Sequence, residues 1–107
     1  MPELVPGTLE MLILRTLIRG SMHGYGIAQR IQNASDDVLS VEEGSLYPAL
    51  QRLLRKGWVT AEWGTTGLKR RARFYTLTRE GRKQLGAEME EFRSMTKAIE
   101  RVLDPEG

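Results

Sequence analysis

The spacing of apolar residues changes abruptly at Gly57, and that change restricts the possible folds more than any other feature of the chain. Before it, in "GSLYPALQRLLRKG", Leu46, Leu50, Leu53 and Leu54 recur at helical spacing. After it, "WVTAEW" and "RARFYTL" are short, aromatic and β-branched, with the Gly-bounded stretch "GTTGLKR" between them. The pattern predicts a helix running directly into a β-hairpin. Proline lacks an N–H and is harmless only where that group would have no partner, so Pro48 predicts a helix start at about Gly44 or Ser45. The other face of this helix carries Ser45, Tyr47, Gln51, Arg52 and Arg55, hydrogen-bonding groups with no use inside a core.

Upstream, Thr8 is placed to cap a first helix, with Glu10 in its first turn. From Leu9 to Arg19 that helix is apolar on nearly every side, which predicts burial all round. A domain this small is not expected to surround it alone, so a second subunit is indicated. Arg19-Gly20 ends the helix and "SMHGYG" turns into the next, where Ile27, Ala28, Ile31 and Ala34 follow at helical spacing until Ser35-Asp36-Asp37. "VLSV" has room only for a stub of strand. Two helices joined by a short connector form a helix-turn-helix. Followed at once by a hairpin, they predict a winged helix, mainly α with a small β-hairpin.

Thr78 is placed to cap the last helix, which is expected to run to about Leu103 before Asp104-Pro105. Leu85, Met89, Phe92, Thr96, Ile99 and Leu103 follow one another at alternating steps of four and three, a heptad seam with one polar member that Met95, Ala98 and Val102 widen. At 1.5 Å per residue such a helix spans roughly 38 Å, more than the width of the domain. Its far end is therefore expected to pair with another subunit. This divides the chain into a winged helix-turn-helix domain at 1–78 and a dimerisation helix at 79–107.

The 107 residues suit one small domain. No apolar run is long enough to span a membrane, and "MPELVPGTLEMLIL" has neither the basic segment nor the cleavage site of a secretory leader. With no cysteine there is no disulfide or thiolate metal site, and a cytoplasmic location is expected. The net charge of +2 conceals a strong asymmetry. Residues 52–83 carry ten Lys and Arg against two Glu, whereas the segments before and after are each net −3. A polyanion is the natural partner of the basic third. His23, the lone histidine, lacks companions at metal-ligand spacing, and no cofactor is expected. Nor is there a Ser/His/Asp or Cys/His set or a phosphate-cradling glycine loop, so catalysis is not expected.

Four segments in order, "GTLEMLILRTL", "HGYGIAQRI", "GSLYPALQRLLRKGWV" and "KRRARFYTLTREGRKQL", resemble the PadR family of bacterial transcriptional regulators. The resemblance covers nearly the whole chain, and the single C-terminal helix resembles the short-form members. It implies a winged-helix domain that dimerises through its first and last helices, and an activity of repression by operator binding. By the same resemblance His23 caps or packs the start of the second helix. Tyr25 beside it either packs inside or reaches a DNA phosphate.

These readings name three sets of residues. Double-stranded DNA is expected to meet the exposed face of the third helix, through Ser45, Tyr47, Gln51, Arg52 and Arg55, and the wing, through Lys69, Arg70, Arg71 and Arg73. On the helix, Ser45 and Gln51 can bond base edges, Tyr47 a phosphate or base, and Arg52 or Arg55 guanine or phosphate. Glu42 and Glu43 argue mildly against close approach at its very start, unless they lie to the side or shape specificity by repelling phosphate. The homodimer interface is expected to use Leu9, Leu12, Ile13, Leu85, Met89, Phe92, Thr96, Ile99 and Leu103. A small hydrophobic effector between subunits, as the resemblance allows, would meet Met11, Met89, Phe92 and Met95; Trp58 and Trp63 lie in the hairpin instead. The rival reading is a winged-helix protein interaction module that binds no DNA, and the sequence does not separate repressor from activator.

Overall fold

The structure, a computed structural model, describes residues 4–105. Its elements run α1 (Pro6–Leu17), β1 (Met22–His23), α2 (Gly24–Ala34), α3 (Glu43–Lys56), β2 (Val59–Thr65), β3 (Arg71–Leu77) and α4 (Arg79–Leu103). The helix-turn-helix, the strands after it and the long last helix are as expected. The sheet is larger than the predicted hairpin: it has three antiparallel strands in the order β1-β3-β2. Met22 pairs with Tyr75 and His23 with Phe74, whose rings meet edge to face at 5.4 Å. Two residues are too few to produce an alternation, which is why β1 leaves no pattern in the sequence. "VLSV", expected to hold a stub of strand, has no regular structure.

α1 starts two residues before the expected cap. Its N-cap is Val5, without a side-chain bond, and a proline opens the helix with its fixed φ where an N–H is not needed. Glu10 therefore lies beyond the first turn and is buried. α1 is also better covered by its own chain than its length of apolar residues suggested. Leu9, Met11, Ile13, Leu14 and Leu17 join Ile27 and Ile31 of α2, Leu46, Ala49, Leu50 and Leu53 of α3, Val59, Tyr75 and Leu85 in one core. Leu9, Ile13 and Leu85, expected at a subunit interface, are buried in the core of the single chain. Met11, expected to meet an effector, is buried there too.

α3 begins one residue earlier than expected, at Glu43, so Pro48 lies past the first turn. It deletes the bond to the Gly44 carbonyl, a modest loss because Gly44 is exposed and water can serve it. The helix ends where the period changes: Gly57 is left-handed, with φ +77°, and Trp58 N–H donates back to Leu53 C=O at 3.1 Å. That conformation favours glycine, and it sends the chain straight into β2.

At the other end of the wing, Thr78 makes the turn into α4. Its Oγ1 accepts from Gly81 N–H at 3.0 Å and donates to the Gly57 carbonyl at 2.8 Å, so one hydroxyl joins the end of α3 to the start of α4. Gly81 is pressed against the Trp58 carbonyl with no room for a Cβ. The first turns of α4 are thus held in the core through Gly81 and Leu85, and Met89 is half-buried. Beyond them the helix leaves the body, and the described residues reach 55 Å along their longest axis but only 22 Å along the shortest. Phe92, Met95, Ile99, Val102 and Leu103 are exposed on this free length.

Candidate nucleic-acid interface

α3 buries Leu46, Ala49, Leu50 and Leu53, and the helical period turns Ser45, Tyr47, Gln51 and Arg55 outward, all exposed as expected. Tyr47 is set by its neighbour: the ring lies over Gly24, where a Cβ would come within 3.0 Å of it. Arg52, on the flank of this face, is turned towards α1. Its Nε donates to Oε2 of Glu10 at 2.9 Å, and Nζ of Lys56, one turn on, donates to Oε1 at the same distance. A buried carboxylate on α1 draws both cations inward, because an unpaired charge there would be costly. Lys56 also lies 4.6 Å from the centre of the Trp58 ring. Arg52 is therefore a tie between α1 and α3, which sequence spacing concealed because Glu10 lies in a different helix.

α2 supplies the rest of the helical side. Nδ1 of His23 accepts from Gly26 N–H at 3.0 Å, so this histidine is the N-cap of α2. Gly26 leaves no space for a side chain against Met22, and a Cβ at Gly24 would crowd the Tyr47 ring. Tyr25, between them, points outward and is exposed. Its hydroxyl accepts from Nε2 of Gln29 at 3.0 Å, which leaves its own proton free to donate. Gln29 was not anticipated from the sequence; its position one helical turn from Tyr25 was the available signal.

The wing is shorter in its loop than the sequence implied, because Gly64 and Thr65 belong to β2. Five residues remain, and Thr66 organises them. Its N–H donates to Arg70 C=O, its C=O accepts from Lys69 N–H, both at 2.8 Å, and its Oγ1 accepts from the N–H groups of Leu68 and Arg70. Lys69 takes a left-handed φ of +60° at this tip. Lys69, Arg70 and Arg71 are exposed, and Arg73 is half-buried.

The pairing Val59↔Leu77, Ala61↔Tyr75, Trp63↔Arg73 and Thr65↔Arg71 puts these residues on one face of the sheet. At its base that face enters the core through Val59 and Tyr75; towards the tip it carries Trp63, Arg73 and Arg71. Burial raises the Tyr75 phenol above its ordinary pKa; the nearby Arg73 charge opposes the shift, and Tyr47 adds to it. Leu46, Leu50 and Leu53 of α3 share the core with Val59 and Tyr75 at the base of this face, and α3 packs on β2. The exposed face of α3 and the basic strand are neighbours.

The fold that carries this surface is shared with known proteins. Residues 13–87 match the Transcriptional regulator PadR-like family. The Negative transcriptional regulator PadR of Bacillus subtilis strain 168 is 30% identical over 77 residues, 72% of this chain but only 42% of that protein. A transcriptional regulator from Clostridium thermocellum superposes with a TM-score of 0.81 at 32% identity, covering 89% of this chain and 92% of the other. A PadR family transcriptional regulator from Eggerthella lenta DSM 2243 gives 0.77 at 28% identity, over 92% and 83%. These are regulators and not enzymes, and this chain belongs to the PadR-like family of transcriptional regulators.

Proposed function

We propose that this regulator binds duplex DNA as a homodimer and represses transcription from a pseudo-palindromic operator. The observation that carries the reading is that α3 packs against β2, on the sheet face that continues outward to Trp63, Arg73 and Arg71, because a helix with exposed polar groups and a basic hairpin beside it can engage neighbouring grooves. Ser45, Tyr47, Gln51 and Arg55 face the major groove. Lys69, Arg70, Arg71 and Arg73 neutralise phosphates, and Arg52 ties α3 to α1 through Glu10. The repressive sense is supported by the negative regulator of B. subtilis that the chain resembles.

The dimer forms through the free length of α4, where Phe92, Met95, Ile99 and Leu103 are exposed, together with Met89, Thr96 and the half-buried Leu12 of α1. Pairing there sets two recognition helices roughly 34 Å, one DNA turn, apart. A flat apolar effector would enter between the subunits against Met89, Phe92 and Met95, and would release DNA by binding a dimer of different spacing more tightly.

Selection of bound fragments from genomic DNA, followed by titration of the selected duplex, tests the proposal. With about four phosphates neutralised per subunit, log K should fall against log salt with a slope of about −7, and changing Arg70, Arg71 and Arg73 to Ala should flatten it. A flat salt dependence, or no retained fragment at low salt, would refute DNA binding and leave the interaction-module reading. Deleting the gene should raise transcription from the selected promoter; a fall would make the protein an activator.

A further inference from the structure

The wing carries an exposed indole that neither the helix-turn-helix nor the core requires. Trp63 is 61% exposed, whereas Trp58, just before the same strand, is half-buried. It occupies the sheet face that adjoins α3, and two arginines flank it. Arg73 is its partner across the strands, with Nε out of contact with solvent and without a hydrogen-bond partner among the described residues. The Arg71 guanidinium lies 4.8 Å from the ring centre.

This arrangement differs from a solvated charge run in its order. A guanidinium resting on an aromatic ring is held in one orientation while its in-plane N–H groups stay free for a bidentate acceptor. The ring itself offers a flat apolar surface and one N–H donor at its edge. Beside the paired phosphate donors, that surface suits the alternation of charged phosphate and apolar deoxyribose along a nucleic-acid strand. A protein partner matched to the arginines would need carboxylates at phosphate-like spacing, and the net +8 of residues 52–83 favours the polyanion.

Resting on the DNA-binding reading above, we infer that Trp63 is a DNA-contacting residue. Its indole packs on the deoxyribose of the strand that passes between α3 and the wing, while Arg71 and Arg73 hold the flanking phosphates. It supplies the part of the affinity that salt does not remove, since covering a sugar displaces no counterion.

The experiment uses the selected duplex with the full chain, the variants Trp63→Ala, Trp63→Phe and Arg71→Ala, and Trp58→Phe, which leaves Trp63 the sole tryptophan. Trp63→Ala should weaken binding by about tenfold or more across the two wings with an unchanged salt slope, and Trp63→Phe should recover most of the loss. Arg71→Ala should instead flatten the slope by about 2 per dimer. In the Trp58→Phe protein, duplex should shield Trp63 fluorescence from acrylamide. Because Trp63 is exposed, thermal unfolding of Trp63→Ala should match the wild type. Wild-type binding with Trp63→Ala unchanged and Trp63 still quenched in the complex would overturn this inference alone. A wild-type chain that binds no duplex would overturn the DNA-binding reading and this inference with it.

Discussion

Replacing Glu10 by Gln should destabilise the fold by about 2 kcal/mol, and the reason lies in the unequal burial of the three charges. The Glu10 side chain is 7% exposed, whereas Arg52 and Lys56 are 32% and 44% exposed. An ion pair between fully exposed groups contributes roughly 0–1 kcal/mol, and breaking a fully buried one costs about 3–5 kcal/mol. Here one acceptor is buried and both donors can return to water. Gln retains one oxygen to accept from a cation but turns its amide N–H groups towards the other, so one charge-assisted bond at 2.9 Å is lost outright and the other weakened.

The same asymmetry makes a sharper comparison possible. Changing both Arg52 and Lys56 to Gln leaves Glu10 as a buried anion without its cations, and should cost more than Glu10→Gln, about 3 kcal/mol. Either cation alone should cost less than about 1 kcal/mol, because the other remains on the carboxylate. Urea unfolding followed by circular dichroism at fixed protein concentration measures all four variants, and Glu10→Gln should also lower Tm by roughly 8–15 °C. A Glu10→Gln protein within about 0.5 kcal/mol of wild type would refute the tie between α1 and α3. So would Arg52→Gln if it flattened the salt slope of DNA binding by about 2 per dimer, the mark of a phosphate contact.

Four further outcomes are expected. Because burial raises the Tyr75 phenol, the folded chain keeps a proton there that the unfolded chain loses above about pH 10; stability should fall as pH rises through that range, and Tyr75→Phe should lessen the fall in urea midpoints measured from about pH 9 to 11. Gly81→Ala should cost about 3 kcal/mol or more, because its Cβ would press on the Trp58 backbone carbonyl and come within 2.9 Å of Leu77. In contrast, Gly86→Ala, with open space around it on the same helix, should stabilise by up to about 1 kcal/mol, as thermal unfolding of both would register. Ile99→Glu should convert the dimer to monomer in light scattering and abolish operator binding; a persistent dimer would exclude the α4 seam as the interface.

The helices and the wing were legible because each is long enough to repeat its own period. α3 shows four leucines on one face, α4 sustains its seam over most of its length, and the strands after Gly57 are rich in β-branched and aromatic residues. What could not be read depends on partners distant in sequence. β1 exists only because Met22 and His23 find Tyr75 and Phe74 across some fifty residues. The burial of α1 likewise follows from α2, α3 and the start of α4 closing around it, so an apolar perimeter that suggested a second subunit was largely satisfied within one. Periodicity identifies which residues share a face, but not which faces the fold will close over.

Residues of the candidate site divide along the same line. Ser45, Tyr47, Gln51 and Arg55 were legible because exposure on a helix follows directly from the positions of its buried leucines. Arg52 shares their polarity and nearly their direction, yet a carboxylate 42 positions earlier claims it, and no pattern within α3 could reveal that. Trp63 is the converse case. Its apolar side chain suggests a place in the hairpin's packing, but the core reaches only as far along that face as Val59 and Tyr75. The strand outruns the body it is built on, just as α4 does, so residues chosen for burial by their chemistry stand in solvent at both extremities. An apolar side chain carried past the edge of the core has lost its structural use, and each extremity is a place where the proposed partners, a second copy along α4 and a DNA strand along the wing, would cover it.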